Sequence, residues 1–157
     1  MKKIFFIVAI SATVFMQKGF AQDNIIQPSQ LLQSYFNIKN ALVAGNANGA
    51  SANAEQFVKA VNDVDSKTIN AATRKTLLKD AGQISGTKNI QQQREHFATL
   101  STTMYVLTKA VKLNSAPVYY SYCPMRKSYW LSNDMVIKNP YFGNAMLTCG
   151  KLTETIQ

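Results

Sequence analysis

The chain has 157 residues and carries seventeen Lys and Arg against eight Asp and Glu, a net charge of +9. That length suits one domain with a core of its own. The basic residues are scattered rather than gathered in a run, so the excess reads as solubility, with weak attraction to anionic membrane surfaces, and no nucleic-acid partner is expected.

The opening segment, MKKIFFIVAISATVFMQKGFAQ, has the layout of a secretory signal. Lys2 and Lys3 form the charged n-region, Ile4 to Met16 the apolar stretch, and Gly19-Phe20-Ala21 a small-x-small cleavage site. The apolar stretch is short for a membrane span. Cleavage after Ala21 is expected to release residues 22–157 as a single exported domain, in a bacterial periplasm or outside the cell. No cysteine stands at the cleavage point, so neither a lipid anchor nor a transmembrane segment is expected in the mature chain. Lys2, Lys3 and Lys18 leave with the signal, which lowers the net charge to +6.

Four segments then show helical periodicity. In PSQLLQSYFNIKNALVAGN, Leu31, Leu32, Tyr35, Leu42 and Val43 share a stripe, with Pro28 and Ser29 at the start and Gly45 at the stop. NANGASANAEQ reads as a small polar turn leading to Ser51, an expected N-cap for a second helix bearing Phe57, Val58, Val61 and Val64. Ser66 is the expected cap of a third, with Ile69, Ala72, Leu77 and Ala81, ending near Gly86. The fourth pattern is the clearest: Ile90, Phe97, Met104 and Val111 recur every seven residues, with Leu100 and Leu107 between them. Short connections predict an all-α, up-and-down four-helix bundle.

After Leu113 the pattern changes. APVYYSYC is rich in β-branched and aromatic residues, and Pro124, Pro140, Gly143 and Gly150 punctuate the rest of the chain. Residues 114–157 are therefore expected to form a short irregular or β cap.

The chemistry lies in that cap. In YYSYCPMRKSYW, Cys123 and Met125 flank a proline that stiffens the turn, and in NPYFGNAMLTCG, Met146 stands three residues before Cys149. Thiolates and thioethers are soft ligands that select Cu(I). Two cysteines in an oxidising compartment equally fit a Cys123–Cys149 disulfide, and methionine is common in cores. The single histidine, His96, sits next to the apolar seam of the fourth helix. It is either a packed residue or, if that flank faces the cap, a further ligand. A Cys–His nucleophile needs an orienting third group and an oxyanion hole; the few acids are scattered, so an enzyme is not expected. Tyr122, Trp130, Tyr141 and Phe142, with the neighbouring tyrosines, offer a carbohydrate or peptide platform, but rings covering the open end of the bundle are the favoured reading. Asn139-Pro140-Tyr141 followed by Gly143 reads as a turn that aims Met146 and Cys149.

Taken together, CPM, YWLS and NPYFGNAMLTCGKLTETI resemble the signature of the family called domain of unknown function 3347, and QREHFATLSTTMYVLTKAV resembles the helix that precedes it there. The resemblance runs from about Ala41 to Ile156. It implies an exported domain, also found at the C-terminus of periplasmic adaptors of copper and silver efflux systems. The implied function is binding or buffering of Cu(I) or Ag(I), with Cys123, Met125, Met146 and Cys149 as ligands and His96 as a further candidate. The implied partner is an efflux adaptor or a metallochaperone. The spacer between CPM and YWLS is shortened here to Arg126-Lys127-Ser128, which changes how the loop closes. The alternative is a metal-free interaction domain in which Cys123 and Cys149 form a structural disulfide.

Overall fold

The computed structural model describes residues 28–113 and 116–157. The expected signal peptide and cleavage site lie outside the described residues. Four helices come first: α1 (Pro28–Val43), α2 (Ala47–Asp63), α3 (Ala71–Ser85) and α4 (Ile90–Ala110). After them come β1 (Val118–Cys123), β2 (Ser128–Ser132), a 3-10 turn at Gly143–Met146, and β3 (Lys151–Ile156). No described helix is long and apolar enough to cross a membrane.

Three of the helices begin on asparagine. The Asn46 side chain accepts from Gly49 N at 2.8 Å, Asn70 from Thr73 N at 2.9 Å, and Asn89 from Gln91 N and Gln92 N. Each satisfies an orphan amide of the first turn. This corrects two expected caps. Ser51 is buried within α2, where its hydroxyl donates to Ser85 O at the end of α3, and Ser66 lies in the turn before Asn70. The apparent turn sequence around Gly49 is helical because Ala50, Ser51 and Ala54 are all buried, and small residues let neighbouring helices approach. Gly49 also leaves room for the cap: an added Cβ would lie 2.6 Å from the Asn46 side chain and push it aside.

Each helix packs on the next in sequence, and α1 also touches α4. Leu31, Tyr35, Ile38, Leu42, Phe57, Val61, Leu77, Ile84, Phe97, Leu100 and Met104 are fully buried between them. Of the expected stripes, Val43, Val58, Ile90 and Val111 are only half-buried, the last two at the ends of the α4 seam, and Ala72 is exposed.

The tail is more regular than an irregular cap. It is a three-stranded antiparallel sheet, order β2-β1-β3. β1 and β2 join through the four-residue loop Pro124–Lys127, whose last residue takes a left-handed φ of 54°. The sheet docks through β2 onto α4 and α1. Tyr35 makes that joint: its hydroxyl bonds Ser101 on α4 at 2.7 Å and accepts Leu131 N of β2 at 3.0 Å, while its ring stacks on Phe97 at 5.1 Å. The polar atoms that meet at Tyr35 in this buried joint are thus paired.

Candidate functional site

The register of the sheet brings the two cysteines together. Tyr122 pairs with Lys151, so one step on, Cys123 comes alongside Gly150, and Cys149 is next in line. Gly150 is needed for this approach, since a Cβ would meet Trp130 Cη2 at 2.6 Å. Both cysteines are free thiols; Cys123 is fully buried and Cys149 half-buried. Partial burial pushes the Cys149 thiol above its ordinary value, and its neighbour Cys123, to which it hydrogen-bonds, pushes it further.

Asn139 holds the pair in place. It is completely buried, and its amide Nδ2 donates to Cys149 O at 2.6 Å and to Cys123 Sγ at 3.2 Å. Its Oδ1 accepts Tyr141 N at 2.8 Å, and its backbone spans to Leu147 O and Gly143 N. Arg126 N also donates to Cys123 Sγ, at 3.4 Å, so the hairpin loop closes over the sulfur. The turn expected at Asn139-Pro140-Tyr141 is present; the bond from its amide to sulfur had no local signal, because Cys123 lies sixteen residues away.

The remaining expected ligands fall at different distances from this centre. Met146 ends the 3-10 turn, is 37% exposed, and its carbonyl accepts Cys149 N at 3.1 Å. Met125 is 62% exposed in the hairpin loop. His96 is not brought to the sulfurs. It is half-buried on α4, within electrostatic reach of the buried Asp80 of α3. Among the described residues no three His, Cys, Asp or Glu side chains gather as a metal cluster. The sulfur centre is therefore a pair of thiols with thioethers on its two flanking segments.

The aromatic residues pack chiefly against one another. Trp130 and Tyr141 are buried, edge to face at 6.1 Å, and Tyr141 lies 6.1 Å from Phe97. Tyr105, Tyr120 and Tyr129 stack at 3.9 and 4.8 Å, with Tyr122 tilted against Tyr129 at 4.6 Å. The stacked faces are turned to one another, which suits a cap, while Tyr129 stays 37% exposed. Phe142 is half-buried beside a small cavity.

Two positions carry chemistry that periodicity did not single out. Arg94 bridges α4 to the tail, with Nε donating to Pro140 O at 2.9 Å and Nη2 to Leu42 O at 3.1 Å. Lys39 lies on the buried side of α1, 2% exposed, donating to Ser132 Oγ at 3.3 Å. Burial, with Lys138 nearby and only Asp134 opposing, pulls the Lys39 pKa down to about 8.

A family model described as a protein of unknown function (DUF3347) matches residues 31–116, more than half of the chain. The chain belongs to this family. The matched span covers the helices and stops before β1, so the Cys- and Met-bearing motifs lie beyond it. No curated protein and no solved structure matches the chain.

Proposed function

We propose that this chain is an exported module that holds one soft cation, Cu(I) or Ag(I), between Cys123 and Cys149. The observation that carries the reading is the contact of the two thiols beneath the hairpin loop. Two thiolates in contact suit a monovalent soft ion, and the donor set has no carboxylate to favour a hard one. Binding displaces the thiol protons, which removes the cost of burying two separate thiolates. Met146 and Met125 supply thioethers from the flanking segments, and His96 is left out of the ligand set. The basic Arg126 and Lys127 oppose a cation, but both belong to a solvent-exposed loop where screening is strong. The module works without catalysis, in the periplasm or outside the cell. It buffers the ion or passes it to an efflux adaptor or metallochaperone. In the same reading the helices form an up-and-down bundle, supported by short connections between helices that pack consecutively.

The test is native mass spectrometry of the reduced mature protein offered Cu(I) anaerobically. One copper per chain is expected, lost in Cys123→Ser and Cys149→Ser and kept in His96→Gln. No adduct on the reduced wild type, or an unchanged adduct in Cys123→Ser, would overturn the reading.

The same thiol contact favours one other reading, a metal-free interaction domain closed by a Cys123–Cys149 disulfide. Such a crosslink contributes about 3 kcal/mol for a loop of this size. Protein isolated from the cell envelope without reductant, lighter by two hydrogens and taking no copper after reduction, would establish it.

A further inference from the structure

The hairpin loop has a further neighbour besides the sulfur pair. A cavity of about 180 Å³ opens there, lined by Gln91, Arg94 and Glu95 of α4, Arg126 of the loop, and Tyr141 and Phe142. Its charges are poorly balanced. Both acceptors of Arg94 are backbone carbonyls, so among the described residues no carboxylate neutralises this partly buried guanidinium. Arg126 faces Glu95 at 4.0 Å, with both side chains well exposed, a pair worth little. Two guanidinium groups on different walls of one small cavity thus share a single weakly held acid.

The lining also selects among anions. A planar carboxylate matches the guanidinium fork. The Tyr141 hydroxyl is taken by Tyr129 O, so that buried residue brings no free polar group to the lining, and half-buried Phe142 gives an apolar wall for a short hydrocarbon. Glu95 at the rim penalises a dianion such as sulfate or phosphate more than a monoanion. The volume is below that of a drug-sized pocket. We propose that this cavity binds a small organic carboxylate, which replaces Glu95 as the partner of Arg126 and pairs with Arg94. The proposal stands apart from the role of the sulfur pair.

The experiment is an amide and arginine Nε NMR titration of the reduced, metal-free mature protein with propionate, at constant ionic strength. Saturable shifts at Arg94, Arg126 and Phe142 are expected. Arg126→Gln, on an exposed loop with no fold-holding side-chain bond, should weaken binding by about two- to fivefold, since an exposed ion pair is lost. Glu95→Gln should tighten it by about two- to fivefold, because the competing acid is gone. Sulfate at the same ionic strength should shift these resonances less. Linear shifts matching those from chloride, unchanged affinity in Arg126→Gln, or sulfate binding as well as propionate would each overturn the proposal.

Discussion

Asn139→Ala is the sharpest probe of how the tail is held. The substitution leaves the backbone bonds of residue 139 intact but removes three side-chain bonds, to Cys149 O, Cys123 Sγ and Tyr141 N. Two backbone groups are then left without their partners near a fully buried position. Each such group costs about 1–3 kcal/mol. Water can reach the half-buried Cys149 from outside, so a total of about 2–4 kcal/mol is expected. Against slopes of about 1–3 kcal/mol per molar urea, the midpoint should fall by about 0.7–4 M. Urea unfolding of the reduced protein, followed by tryptophan fluorescence, reads this directly, because Trp130 is buried against Tyr141. Asn139→Asp separates the donor from the acceptor. It keeps an oxygen for Tyr141 N but turns a second one toward Cys149 O and the sulfur. At pH 7 it should be at least as unstable as Asn139→Ala. Burial raises its folded pKa above the unfolded value, so its stability should return as pH falls and be lost as pH rises through the folded pKa. A loss under about 0.5 kcal/mol in Asn139→Ala, or a wild-type midpoint for Asn139→Asp at pH 7, would refute the reasoning.

Lys39 gives a prediction about alkaline pH. Its folded pKa of about 8 lies below the ordinary 10.5, so the unfolded chain binds the proton more tightly and stability should rise between pH 8 and 10.5. The full effect is up to about 3 kcal/mol, and Lys39→Met should flatten the rise measured from pH 7.5 to 9.5. Above that range the buried tyrosines reverse the slope: burial raises Tyr35 and Tyr141 above their unfolded value, so stability falls as the unfolded phenols ionise. Gly143→Ala should cost about 1–3 kcal/mol in thermal or urea unfolding. Residue 143 sits at a φ of 55°, and an added Cβ would lie 2.8 Å from both Arg94 Nη2 and Val43 O.

Much of the helical part is legible in the chain itself, because its signals are local. The seven-residue recurrence of Phe97 and Met104, with Leu100 and Leu107 each three residues on, describes the buried face of α4 wherever that helix packs. Gly45, at a left-handed φ of 69°, marks the end of α1, and Gly86, which keeps a helical φ, caps α3. Helix starts were less legible. Serine and asparagine cap about equally well, and the choice of Asn46 over Ser51 depends on Ala50 and Ser51 being buried against other helices. The same holds for the rings of the tail. Their β-rich composition announced strands, whereas stacking of Tyr120 between Tyr105 and Tyr129 joins residues far apart in the chain.

By itself, then, the sequence determined the four helical segments, the change to strands after Leu113, and which residues have sulfur chemistry to offer. Tertiary structure alone decided which of them meet. The register of β3 on β1 set Cys149 beside Cys123, and the helical phase of α4 turned Arg94 toward the tail and His96 toward Asp80. Neighbours on a helix differ by about 100° in direction, and strand pairing joins residues regardless of their separation. Residue type is written in the chain, but proximity is a property of the packing.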